Sequence, residues 1–187
     1  MWTFTALCAD TKLVPAWHIG YRSLEGATIF MQDLAKRFKN KIQLTTDGYR
    51  MYLEAVESAF GNEIDFSRLI RLIKIYKSTI DEGQKRYGPP QCIETEKHRV
   101  NGNQEDKEIS TSYVERQNLT MRMNMRRFTR LTNAFSKKAE NLFYAISLHF
   151  MYYNFCRIHQ TLRVTPAMEA GVTDRLWEIE DIISLLV

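Results

Sequence analysis

A chain of 187 residues, with 44% hydrophobic and 26% charged residues and a formal net charge of +4, has the length of one ordinary domain and enough apolar side chains for a real core. No run approaches the roughly 18–20 apolar residues of a membrane span, and residues 1–7 lack the basic start and long apolar stretch of a signal peptide. Cys8, Cys92 and Cys156 lie far apart with no Cys-x-x-Cys spacing. They read as free thiols of a reducing compartment, with the cytoplasm as the expected location and no zinc site or disulfide framework.

Thr3 to Ala9 and Leu13 to Ile19 are short runs rich in strand formers, joined by Asp10-Thr11-Lys12. They predict an antiparallel hairpin with a tight polar turn. Ser23 caps an expected helix to about Phe38, with Ala27, Phe30, Met31, Leu34 and Phe38 on one face. Lys41 to Thr45 reads as a short strand ending at Asp47-Gly48, and a helix from Arg50 to Phe60 stops at Gly61. This alternation points to an α/β domain.

Ile64 to Tyr76 fits a buried strand or a helix equally well, because a short apolar run has no deciding period. Lys77 to Ile109 is polar, with Gly88-Pro89-Pro90 and Asn101-Gly102. It reads as a long excursion, with a small hairpin expected to turn at Asn101-Gly102. From Thr111 the chain is predicted helical, first to about Arg127. A second helix, from Ser136 to about Phe155, carries Ala139, Leu142, Phe143, Ile146, Phe150 and Tyr153 at core spacing. Thr165-Pro166 opens a short helix ended by Gly171. A last amphipathic helix is expected from about Asp174, with Leu176, Trp177, Ile179, Ile182, Ile183 and Leu186.

Charge is unevenly spread. Between Arg116 and Lys138 stand seven of the 26 Lys/Arg and none of the 22 Asp/Glu, so the rest of the chain carries 19 basic against 22 acidic residues. Arg116, Arg122, Arg126, Arg127, Arg130, Lys137 and Lys138, interleaved with Asn118, Asn124 and Asn133, resemble a phosphate-tracking surface, for which DNA, RNA and a merely basic helix all fit. Glu115 precedes them, and a period of about 3.6 residues would set Glu115, Leu119, Arg122 and Arg126 on one helix face. An acid in a first helical turn also suits the helix dipole. Asp47 reads either as an acid at the carboxyl end of a strand, where ligands collect in open α/β sheets, or as an ordinary Asp-Gly turn residue. Asp10 reads as a turn former or a further metal ligand. His18, His98, His149 and His159 show no metal spacing, and Met121, Met123 and Met125 alternate in a way that no single helix face can gather.

Three segments together resemble DDE-type transposases of bacterial insertion sequences, in the insertion-sequence-one-like group. They are Thr45-Thr46-Asp47-Gly48-Tyr49-Arg50-Met51-Tyr52, Thr111-Ser112-Tyr113-Val114-Glu115-Arg116-Gln117-Asn118-Leu119, and Tyr153-Asn154-Phe155-Cys156-Arg157-Ile158-His159-Gln160-Thr161-Leu162 followed by Thr165-Pro166. The resemblance implies a ribonuclease H-like mixed sheet flanked by helices over residues 1–165, followed by a helical tail over 166–187. It implies three acids holding two divalent metals, Mg²⁺ or Mn²⁺, with Asp47 as the second acid and Glu115 as the third. Such a pair, roughly 3.5–4 Å apart, would activate the attacking oxygen and stabilise the leaving one. The implied partners are double-stranded DNA, at transposon ends and target, and further copies of the chain, in a bacterial cytoplasm.

In that resemblance the first acid lies on a first strand in an Asp-Glu-x-Trp context, upstream of the hairpin that Thr3 to Ile19 resembles. The chain is therefore expected to start late and to be inactive or impaired alone. A reading with Asp10 as the first acid stays open, as does that of a non-catalytic DNA-binding remnant or regulator. His159 reads as a lock between core and tail, or as a DNA contact, and the packing positions Leu162 and Pro166 favour the lock.

Overall fold

The computed structural model describes residues 1–61, 64–74, 91–102, 107, 109–129, 133–134 and 136–185, with backbone alone for 67–74 and 91–94. The fold is mixed α/β, with a three-stranded mixed sheet flanked by helices and a separate two-stranded hairpin.

The hairpin pairs β1 (Trp2–Thr5) with β2 (Trp17–Gly20), Trp2 opposite Gly20 and Thr5 opposite Trp17. Antiparallel bonding continues beyond both strands, from Ala6 N to the Ala16 carbonyl at 3.0 Å and from Cys8 N to the Leu13 carbonyl at 2.9 Å. Side chains alternate across such a ribbon, and here both faces are apolar. Phe4 and Ala16 join one cluster of buried residues, while Val14, with Trp17 and Ile19 packed beside it, joins another. The hairpin is thus the middle layer between two cores.

The first core is filled by helix α1 (Leu24–Ala35), α2 (Met51–Phe60) and the central sheet. The Ser23 hydroxyl accepts Gly26 N at 3.2 Å, the cap expected from sequence. A Cβ on Gly26 would stand 2.5 Å from the Tyr21 carbonyl oxygen, so only glycine lets α1 begin this close to β2. Ala27, Phe30, Met31 and Leu34 are buried as predicted, but the helix ends at Ala35 and leaves Phe38 beyond it, 37% exposed.

β3 (Ile42–Thr46) pairs in parallel with β4 (Ile64–Lys74), Ile42 opposite Ile64. The ambiguous apolar run is therefore a strand. β5 (Gln91–Asn101) pairs antiparallel with β4, Lys74 opposite Gln91. This corrects part of the expected excursion: residues 91–101 form a long strand that ends at Asn101, and the residues that would follow a turn at Asn101-Gly102 lie outside the described ones. Residues 95–100 are all exposed, so no apolar alternation marks the strand, and its backbone bonds to β4 define it. The connection over residues 75–90 lies outside the described residues. The two ladders share the first core, yet β1 and β3 are not paired with each other.

The second core lies on the other face of the hairpin, under α3 (Ser112–Asn124) and α4 (Ala139–Met151). α3 stops short of the predicted Arg127. Met125 is extended, and Arg126–Phe128 forms a separate single turn. α4 starts three residues later than expected and buries Ile146 and Phe150, whereas Ala139 is exposed and Phe143 stays 49% exposed with its ring 5.0 Å from Trp17. α4 runs into a π-helical turn over Tyr152–Cys156. Such wide turns insert one extra residue per turn, and this one buries Tyr153 and Asn154 together.

Both side chains grip the hairpin. Val14 N donates to Asn154 Oδ1 at 3.1 Å, Asn154 Nδ2 donates to the Val14 carbonyl at 3.0 Å, and Tyr153 OH donates to the Lys12 carbonyl at 3.1 Å. Beyond them, His159 N donates to the Val164 carbonyl at 2.9 Å, and Arg163 N to the His159 carbonyl at 2.8 Å. Thr165 Oγ1 accepts Met168 N at 3.2 Å to cap α5 (Pro166–Glu169), and Gly171, at φ 67°, follows. The last helix, α6, is shorter than predicted, Ile179–Ser184. Trp177 lies before it and packs on Phe155 at 4.7 Å. Leu186 is outside the described residues. Among the described residues no helix is long and apolar enough to cross a membrane.

Asn154→Ala leaves the Val14 N–H and carbonyl buried without their partners, so unfolding free energy should fall by about 2–4 kcal/mol. Tyr153→Phe, which removes one bond, should cost only about 0.5–1.5 kcal/mol. Urea titrations of the two variants against wild type measure both, and equal losses would show that the amide is not special.

Candidate nucleic-acid interface

Asp47 stands just past the carboxyl end of β3, exposed, and its Oδ1 accepts Tyr49 N at 3.0 Å. The carboxylate closes its own turn, the geometry that makes Asp common there. Around it the structure gathers residues that periodicity alone did not single out. The Arg22 guanidinium lies 4.6 Å from the Tyr49 ring and 4.7 Å from the Trp2 ring, and Tyr49 meets Tyr52 edge-on at 5.4 Å. Burial, then the charge of Asp47, pushes the Tyr52 hydroxyl well above its ordinary range. The available signal was the pair of tyrosines at i+2 and i+5 from Asp47. Arg22 and Trp2 belong to no pattern.

Glu115 is exposed in the first turn of α3 and accepts the buried Thr111 hydroxyl at 2.7 Å. Asp10 sits in the hairpin turn, exposed. Next to it, Lys12 donates to the Ala9 carbonyl and lies 4.2 Å over the Tyr113 ring, tying the turn to the start of α3. Asp47 is therefore linked, through Tyr49 and Arg22, to the Trp2 end of the hairpin, and Tyr113, two residues before Glu115, meets its Lys12 end. Among the described residues no group of three or more His, Cys, Asp or Glu could hold a metal ion. Asp47 and Glu115, the two acids that the resemblance implies as metal ligands, thus belong to no such group among the described residues. Cys8 and Cys156 are free, as expected, and the Cys92 side chain lies outside the described residues.

The cations are arranged differently. Arg116, Arg122, Arg126, Arg127, Lys137 and Lys138 are all exposed, and Arg130 lies outside the described residues. The break after Asn124 removes Arg126 from the helix face shared by Glu115, Leu119 and Arg122. Arg122 and Arg126 nevertheless stand together on a cleft of about 690 Å³, with Leu119, Asn124 and Thr129. Arg126 also lines a second cleft of about 490 Å³, floored by Met125, Ala145, Leu148 and Tyr152. Arg127 is engaged within the protein: its Nη1 donates to Ser136 Oγ and, at 3.0 Å, to the Asn141 carbonyl. It pins the segment before α4 and is less available to an external anion than Arg122 or Arg126.

Two histidines carry a buried ring nitrogen. His149 lines the second cleft with its ring 5.2 Å from Phe150, and its Nε2 is buried with no partner among the described residues. Burial, then nearby Arg157, lowers its pKa. The same holds for His159, whose Nδ1 is buried and whose pKa is lowered by burial, then by Lys12 and Arg157. No family model, curated protein or solved structure matches this chain.

A histidine whose folded pKa lies below its unfolded value, near 6.5, takes up its proton more readily in the unfolded chain. Full stability is then present above about pH 6.5 and is lost as pH falls toward the folded values. His149→Gln with His159→Gln should flatten that decline between about pH 7 and 5. Urea midpoints across this range test it, and an unchanged slope in the double variant would refute the assignment.

Proposed function

We propose that this protein is a DNA transposase catalytic-core protein, of ribonuclease H-like fold, that acts at insertion-sequence ends in a bacterial cytoplasm and is impaired in strand transfer on its own. One observation carries the DNA reading: an exposed, acid-free run of cations in which Arg122 and Arg126 converge on adjoining clefts. A duplex backbone presents regularly spaced phosphates, and such cations bind it by displacing condensed counterions.

Several features support the fold reading. β3 and β4 are parallel, and Asp47 follows the carboxyl end of β3, the edge at which ligands bind in open α/β sheets. The hairpin would be the second and third strands of a ribonuclease H-like sheet and β3 the fourth. The separation of the two ladders around one shared core supports a place for another strand between them.

The donor set supports the impaired-enzyme clause. Among the described residues neither Asp47 nor Glu115 belongs to a group of three or more possible metal ligands, and an incomplete acid set is a weak host for the Mg²⁺ or Mn²⁺ pair that in-line phosphodiester chemistry uses. That same arrangement favours the second reading, a non-catalytic DNA-binding regulator of an active transposase. The residues' own work would then be phosphate binding, with Asp47 and Glu115 shaping a turn and a helix start.

Fluorescence anisotropy with duplex DNA at several salt concentrations tests the DNA reading. Binding should weaken steeply with salt, and Arg122→Ala or Arg126→Ala should each lower the slope by about 1. Salt-independent binding, or none, would sink it. Cleavage assays with Mg²⁺ separate the two readings: wild type should show little or no strand transfer, and Asp47→Asn should abolish any residue of it. Robust cleavage lost in Asp10→Asn would overturn the impaired-enzyme clause and restore Asp10 as a metal ligand.

A further inference from the structure

Tyr144, Leu148 and Tyr152 recur every four residues along α4 and the turn that follows, and they remain 65%, 58% and 45% exposed. Leu148 and Tyr152 also floor the cleft whose lip carries Arg126. An apolar stripe of this kind, rimmed by cations, is a seat for an amphipathic acidic segment.

The chain itself contains such a segment. Residues 174–185 hold four acids and a single arginine. Ile179 and Ile183 stand one turn apart on α6, and they are 57% and 55% exposed, with Leu176, 43% exposed, in the extended chain before it. Arg175 is committed to Asp181, at 2.7 and 2.9 Å, which holds that carboxyl down to about 2, and Glu178 with Asp181 caps α6. Asp174 and Glu180 are exposed. Within one chain both stripes stay exposed while Trp177 is held on Phe155.

We propose that the segment from Asp174 to Leu185 of one copy docks on the Tyr144–Leu148–Tyr152 stripe of a second copy, with Asp174 and Glu180 facing Arg122 and Arg126. Reciprocal docking gives a closed two-fold dimer, since each copy offers both a seat and a segment. The contact draws on two cations of the proposed DNA surface, so self-association and DNA binding compete.

Sedimentation velocity of the whole chain, without DNA, tests the contact independently of any DNA reading. Wild type should self-associate, and the paired reversals Arg122→Glu with Arg126→Glu, or Asp174→Lys with Glu180→Lys, should each weaken association by about tenfold or more. An equimolar mixture of the two reversed proteins should regain it, because opposite charges then face each other at both contacts. Leu148→Asp should weaken association with no such rescue, and circular dichroism checks that every variant is folded. A monomeric wild type, association indifferent to both reversals, or a mixture that fails to recover would overturn the proposal. So would a reversal of the arginines that weakens DNA binding alone, which would assign the cleft to DNA.

Discussion

The two hydrogen bonds between the Asn154 amide and the backbone of Val14 hold the molecule's layers in register. They join residues 140 positions apart at a buried site, so they fix a long-range relation that no local preference supplies. A primary amide can donate and accept at once, which lets one side chain satisfy both polar groups of a buried residue in the hairpin arm before β2. Isolated, those groups would carry a heavy desolvation cost. The π-helical turn makes the contact possible, since the wider turn buries adjacent Tyr153 and Asn154 and aims both at the hairpin.

Once the hairpin is held, its alternation builds both cores. Ala16 and His18 turn toward Phe4 and the α1–α2 side, and Trp17 and Ile19 toward α3 and α4. A two-stranded ribbon alone is marginal in water. Helices on both faces give this one its stability. Its two ends then set the chemistry. The open end presents Trp2, stacked with Arg22 and Tyr49 beside Asp47, and the closed end presents Lys12 against Tyr113 near Glu115.

Much of this was legible where one residue type has one local job. Ser23 and Thr165 cap their helices, Pro166 opens the short one, and Asp10-Thr11-Lys12 turns the hairpin, all as the sequence suggests. β5 was not legible, because its exposed half is polar apart from Val100 and its strand character comes from a partner sequence-distant across residues 75–90. Phe143 was expected in the core from its spacing, yet α4 buries only the narrower Ile146–Phe150 side, and Phe143 merely leans on Trp17. The site divided in the same way. The cationic run was visible as composition, whereas the Arg22 cluster and the tethering of Arg127 depend on folding and leave no periodic trace.

The end of α3 shows how packing decides where charge goes. Helical periodicity would place Arg126 three turns above Glu115, but Met125 and Phe128 are drawn toward the second core, packing against the cluster of Val14, Met121, Ile146, Phe150 and Tyr153. Burying those two side chains requires the chain to leave the helix at Met125 and turn again over Arg126–Phe128. The intervening arginines both line the cleft beside α4, with different engagements. Arg127 reaches across to the Asn141 carbonyl, while Arg126 swings to the lip shared by both clefts. The basic surface is thus a by-product of apolar burial beneath it: the same methionine that floors one cleft sets the position of the cation at its edge.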